Sequence, residues 1–206
     1  GASNTAVGKD SLYQNTTGVE NAATGYQSLY HNTTGQQNCG FGRLSLYANT
    51  TGNYNNAMGS TALDANTTGS NNTAMGQAAL GANTTGVDNT ALGYLSMTTN
   101  TTGHYNAAVG RESLRSNTTG QYNAAFGQNA MYQNTTASNN TALGSHALFA
   151  NTTGGSNASV GKTSLSANTT GSANAAFGAD ALASNTTASN NTAVGTNSLN
   201  ANTTGS

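Results

Sequence analysis

Asparagine recurs every seventeen residues along this chain, twelve times without insertion or deletion: Asn4, Asn21, Asn38, Asn55, Asn72, Asn89, Asn106, Asn123, Asn140, Asn157, Asn174 and Asn191. A glycine follows each of them four residues later, from Gly8 to Gly195. A period of this length, kept without slippage, is the signature of a solenoid in which each repeat is one coil stacked on the next. The chain of 206 residues therefore reads as a single repeat array over residues 1–206, twelve units of seventeen residues. It starts and stops inside a unit, at Gly1 and Ser206, so it is expected to be a fragment of a longer fibre, truncated at both ends.

Only 5% of the residues are charged, there is no proline, and Asn, Thr, Ala, Gly and Ser dominate. Such a composition by itself suits a disordered chain with little apolar surface to bury. The phase of the apolar residues argues otherwise. Leu or Met recurs at Leu12, Leu29, Leu46, Leu63, Leu80 and onward to Leu199, and an apolar residue fills eleven of the twelve positions from Val7 to Val194, Thr24 being the exception. A linker has no physical reason to hold apolar positions in register over twelve periods.

The unit reads N-T-A-φ-G-x-x-[SA]-L-x-x-N-T-T-G-x-x, with φ Val, Leu, Met or Phe. Asn72-Thr73-Ala74-Met75 has the character of a short strand ended by Gly76. Alternation along a strand sends Ala74 one way and Thr73 and Met75 the other. The second half, Gln77 to Asn83, is rich in Ala and Leu and poor in β-branched residues, which predicts a short helical turn, with a second strand as the alternative. Asn83-Thr84-Thr85-Gly86 then makes a corner. The fold expected is a mainly β repeat solenoid, a parallel β-roll of twelve coils and about 55 Å in length if each coil rises by one strand spacing. Stacking places identical side chains above one another, so the asparagines from Asn4 to Asn191 are expected to form a ladder of amides. The apolar content of a single coil is small against the entropy of ordering it. Association of chains through the second strand face is the expected further source of stability.

The segments N-T-A-V-G at Asn4 to Gly8, N-T-A-M-G at Asn72 to Gly76 and N-T-A-L-G at Asn89 to Gly93 resemble the N-S-V-A-I-G repeats in the heads of trimeric autotransporter adhesins. The full seventeen-residue form is similar to repeat arrays of bacterial surface fibres and phage tail-fibre proteins. The resemblance implies a left-handed roll, packing of three chains side by side, and a structural and adhesive role at the cell surface or in a virion tail fibre. It also implies a homo-oligomer, trimer or filament, whose ligand is a carbohydrate or a host surface. The N-T-T-G corner is an addition to the shorter head repeat.

No residues are placed for catalysis, a cofactor or a metal, and the expectation is a protein that is not an enzyme. His31, His104 and His146 fall at three different phases and cannot stack into a metal cluster. Asp10 and Asp180 share a phase ten coils apart, and Asp64 and Asp88 occupy two others. A net charge of −1 gives no footprint for nucleic acid or an anionic membrane, and no apolar run approaches a membrane span. The single Cys39 takes a phase filled elsewhere by Thr5, Ala22 and Thr73 and reads as a packed small side chain.

A second row of asparagines begins each N-T-T: Asn15, Asn32, Asn49, Asn66, Asn83, Asn100, Asn117, Asn134, Asn151, Asn168, Asn185 and Asn202. These fit the glycosylation acceptor N-x-[ST], and a glycosylated scaffolding filament is the alternative function. The competing reading makes them part of the corner, with side chains pointing into the coil. Threonine rows at the same corner raise ice binding as a third reading, weakened because adjacent threonines face opposite sides of an extended segment. Tyr13, Tyr30 and Tyr47 share one phase in consecutive coils and are expected to stack into an aromatic strip.

Overall fold

A computed structural model describes residues 1–205. Twelve three-residue strands, from β1 (Thr5–Val7) through β5 (Thr73–Met75) to β12 (Thr192–Val194), form one parallel sheet in sequence order. Neighbours pair with a shift of one repeat, so that Thr73 sits on Thr90, Ala74 on Ala91 and Met75 on Leu92. The chain is the solenoid its period predicts, one coil per repeat.

Each strand is short because the residue after it leaves the β region. The glycines from Gly8 to Gly195 have φ between 118° and 143°, which a side chain rarely tolerates. Space forbids one as well: a Cβ on Gly76 would lie 2.5 Å from the carbonyl oxygen of Gly93 in the next coil. No coil replaces this glycine.

The second half of the coil is neither helix nor strand, which corrects the expectation of a short helical turn or a second strand. Positive φ alternates through it, at Gly76 (136°), Ala78 (54°) and Leu80 (51°). A helix needs consecutive residues on the negative side. Three successive turns result, closed by Ala79 N–H to the Gly76 carbonyl (3.3 Å), Gly81 N–H to Ala78 (3.3 Å) and Asn83 N–H to Leu80 (3.1 Å). The amides between them point along the stack: Ala78 donates to Ser60 of the preceding coil, Leu80 to Ser96 and Ala82 to Thr98 of the following one, each at 3.0 Å. Alternating the sign of φ thus gives the turns the coil-to-coil hydrogen bonds that a helix would have kept within itself.

The interior is one side chain deep. Leu80, Ala74 and Ala79 are fully buried, and so are Asn72 and Asn83. Holding a leucine in the left-handed region costs roughly 1–2 kcal/mol. Burying its side chain contributes about 1.5–3 kcal/mol, which is of the same size as the strain and offsets most or all of it. Small residues in the core adjust to one another. At Ser28, in a column that is serine in seven coils and alanine in five, Gly40 beside it leaves room, since a Cβ there would meet the Ser28 Oγ at 2.5 Å; the hydroxyl donates to the Gly40 carbonyl (3.0 Å).

Candidate functional site

Both asparagine rows face the interior, and they are held differently. In the corner row, Asn83 Nδ2 donates to Asn66 Oδ1 (2.9 Å) and to the Gly86 carbonyl (3.1 Å), while its own Oδ1 accepts from Asn100 (2.9 Å). The bond from one asparagine to the next is repeated at every interface from Asn15 to Asn202. In the strand row, Asn72 Nδ2 reaches the Gly86 carbonyl (2.8 Å), and Asn72 Oδ1 accepts the backbone N–H of Asn89 (3.1 Å). The strand row therefore ties side chain to backbone, with amide-to-amide contacts near 3.2 Å as a secondary feature.

This geometry bears on the sugar-acceptor reading of the corner row. Asn32 through Asn185 in that row are fully buried, and both hydrogens of each Nδ2 are committed. A glycan attached at such a nitrogen has no path out of the folded coil. Of the same row, Asn15 and Asn202 in the end coils are half-buried.

The two threonines after the asparagine divide their tasks. Thr84 is half-buried and donates Oγ1–H to the Thr101 carbonyl (3.1 Å), which also accepts the backbone N–H groups of Thr84 and Thr85. Thr85 is exposed, as is its counterpart in every coil. The corner thus presents a single file of threonine side chains rather than two flanking ranks.

Outside the rod, two kinds of column stand out. The first runs along the strand face. Ala74 points inward and Met75 outward, as alternation predicts, and the outward column is apolar in eleven coils. Phe41 is 54% exposed, Met75 42% and Leu143 51%. Beside it runs a column of Thr, Ala, Asn and the half-exposed free thiol of Cys39. No charged residue occupies either column.

The second lies on the turn segment. Tyr13, Tyr30 and Tyr47 stack with centroids 5.3 and 5.5 Å apart, and His31 stands edge-on to Tyr30 and Tyr47 with Nδ1 2.8 Å from Gln14 Oε1. Further along the same column Tyr132 stacks on Phe149 (5.2 Å), and the Arg115 guanidinium lies 5.4 Å from the Tyr132 ring centroid. The sequence reading found the first stack and missed the second, whose signal was the recurrence of aromatic residues at the same phase five coils after Tyr47.

The histidines remain apart: the His104 ring accepts the Val87 N–H (3.0 Å), and His146 sits between Ser145 and Asn129. No cluster of three metal-ligating side chains forms among the described residues. Among the described residues no helix is long and apolar enough to cross a membrane. Burial pushes the Asp64 carboxyl above its usual range. No family model, curated protein or solved structure matches the chain.

Proposed function

We propose that the chain is a structural and adhesive segment of an extracellular fibre, non-enzymatic, in which copies associate side by side through the strand face. The observation that carries this reading is the outward apolar column from Val7 to Val194. Isolated exposed apolar residues are ordinary, but a contiguous file of them marks an interaction surface. Its neighbours are small and uncharged, so two such faces meet without burying an unpaired charge. The resemblance to adhesin heads and tail-fibre arrays favours three copies, and the turn side, with its aromatic stacks, is left to face a carbohydrate or host surface. Sugars on the corner asparagines are not part of the proposal, because those side chains are interior.

The test is the mass of the assembly in solution. Light scattering at micromolar concentration is expected to give three chains per particle. Replacing Phe41, Met58 and Met75 by threonine, which the same column carries at Thr24, should give single chains with unchanged circular dichroism. A wild-type chain that stays monomeric at these concentrations would sink the proposal.

A further inference from the structure

Charge on this chain is sorted by sign. Four of its five Lys and Arg residues, Lys9, Arg43, Arg111 and Lys162, share the position after the strand-ending glycine, and no acid occupies it in any coil. Glu20 and Asp88 share the position before the strand-row asparagine, where no base occurs. All six are exposed. Buried residues alternate with solvent-facing ones through this stretch, as in Glu20, Ala22, Thr24 and Tyr26 around the buried Asn21 and Ala23. The two positions therefore border the uncharged strand face, basic along one edge and acidic along the other. The acids nearest the basic edge, Asp10, Glu112 and Asp180, stand one residue further round the coil and are half-buried, Glu112 lying 3.3 Å from Arg111. Arg43, Glu20 and Asp88 form no ion pair among the described residues.

We infer that Glu20 and Asp88 of one copy pair with Arg43 and Arg111 of the next, so that the charged edges fix the direction and register in which the strand faces meet. The inference rests on the side-by-side reading and adds its alignment. Arg43 and Arg111 are 68 residues apart, as are Glu20 and Asp88, four coils in each case. One alignment therefore satisfies both pairs. With copies level, each acid lies one coil, about 4.8 Å along the axis, from its arginine, an offset that a long side chain with five donors spans. One coil to the other side of each arginine stands an exposed tyrosine, Tyr54 or Tyr122, whose ring receives a guanidinium on its face. Direction follows from symmetry. Rotation about an axis along the rod, two-fold or three-fold, brings the basic edge of one copy to the acidic edge of its neighbour. A two-fold across the rod runs the copies antiparallel and sets basic against basic and acidic against acidic, which like-charge repulsion disfavours.

The test is charge exchange, read as the concentration at which light scattering reports half-assembly. The acidic-edge position also holds Gln37 and Tyr54, and the basic-edge position Tyr26 and Gln77, so both take substitution without refolding, which circular dichroism checks. Glu20→Arg/Asp88→Arg should raise that concentration at least tenfold at low salt, since one exposed pair is worth up to about fivefold and each interface holds two. Adding Arg43→Glu and Arg111→Glu exchanges the edges and should restore assembly. In roughly 1 M salt the double variant should match the wild type, because screening acts on the charges and not on the apolar packing. Spin labels on Thr34→Cys and Thr187→Cys, exposed corner residues near opposite ends, in a Cys39→Thr chain, read direction: two labels at position 34 should lie closer together than one at 34 and one at 187 on a neighbouring copy. A double variant that assembles like the wild type at low salt, an exchange of all four that fails to rescue, or the reverse order of label distances overturns the inference and leaves side-by-side association standing. A wild-type chain that stays monomeric overturns both.

Discussion

The side chains of Asn72 and Asn83 converge on one acceptor: both amides donate to the carbonyl oxygen of Gly86, at 2.8 and 3.1 Å. The strand row and the corner row are joined at that atom, and the junction repeats along the rod with Ala137 and Ala188 standing in for glycine.

Removing one arm of the junction leaves the Gly86 carbonyl bonded and orphans only the ladder partners, Asn66 Oδ1 and Asn100 Nδ2. Asn83→Ala is therefore expected to destabilise the array by about 2–4 kcal/mol. The pair Asn72→Ala/Asn83→Ala strips the carbonyl of both donors and should exceed the sum of the single changes by about 1 kcal/mol. Denaturant unfolding of the four chains checks both numbers.

Leu80 combines full burial with a φ of 51°. Leu80→Ala should cost about 2–4 kcal/mol from the cavity alone. Leu80→Gly relieves the left-handed strain, so glycine should be no worse than alanine here, the reverse of their order in a helix or strand. Thermal melting of the two variants decides it.

The two glycines of the central unit differ in what they tolerate. Gly76→Ala faces both a φ of 136° and a carbonyl at 2.5 Å, and it should unfold the coil around it. Gly86→Ala occupies a phase that already holds Ala137 and Ala188, although its Cβ would begin 2.3 Å from Asn83 Oδ1. The expected result is a small loss for Gly86→Ala and a large one for Gly76→Ala, read by amide hydrogen exchange across Thr73 to Leu92.

Asp64 gives the array a pH dependence. Its carboxyl is raised above the ordinary value of 3.8 by burial, so the fold favours the neutral form. That contribution is complete below the ordinary value and is lost as pH rises through the raised one. Asp64→Asn should melt with the wild type in acid and above it at neutral pH. Equal melting temperatures at both pH values would contradict the assignment.

Cys39 lies on the same strand face as Phe41 and is half-exposed in the single chain. If copies meet through this face, a maleimide should label Cys39 rapidly in the Phe41→Thr, Met58→Thr, Met75→Thr chain and at least tenfold more slowly in the wild-type assembly. Equal rates would place the contact elsewhere.

The architecture was legible because stacking demands periodicity: Asn72, Gly76, Leu80 and Asn83 each recur at a fixed spacing, and each proves to be interior or conformationally constrained. The inward Ala74 and outward Met75 followed from strand alternation. The turn half was misread because Ala78, Ala79 and Leu80 are strong helix formers locally, while the fold sets Ala78 and Leu80 at positive φ to send their amides to neighbouring coils. Propensity reports a preference within one coil and carries no record of what lies above and below it.

The strict period also sets how such a rod responds to tension. Each coil advances it by about 4.8 Å, yet a coil's seventeen residues pulled straight span roughly 58 Å. A pull along the axis acts on the bonds between coils, which lie along the same line. When one interface parts, a single coil pays out and slackens the load, while the remaining interfaces keep their ladders. Under force the rod lengthens stepwise, up to about twelvefold, so a tether built from it gives way gradually where a rigid bar of equal thickness would snap.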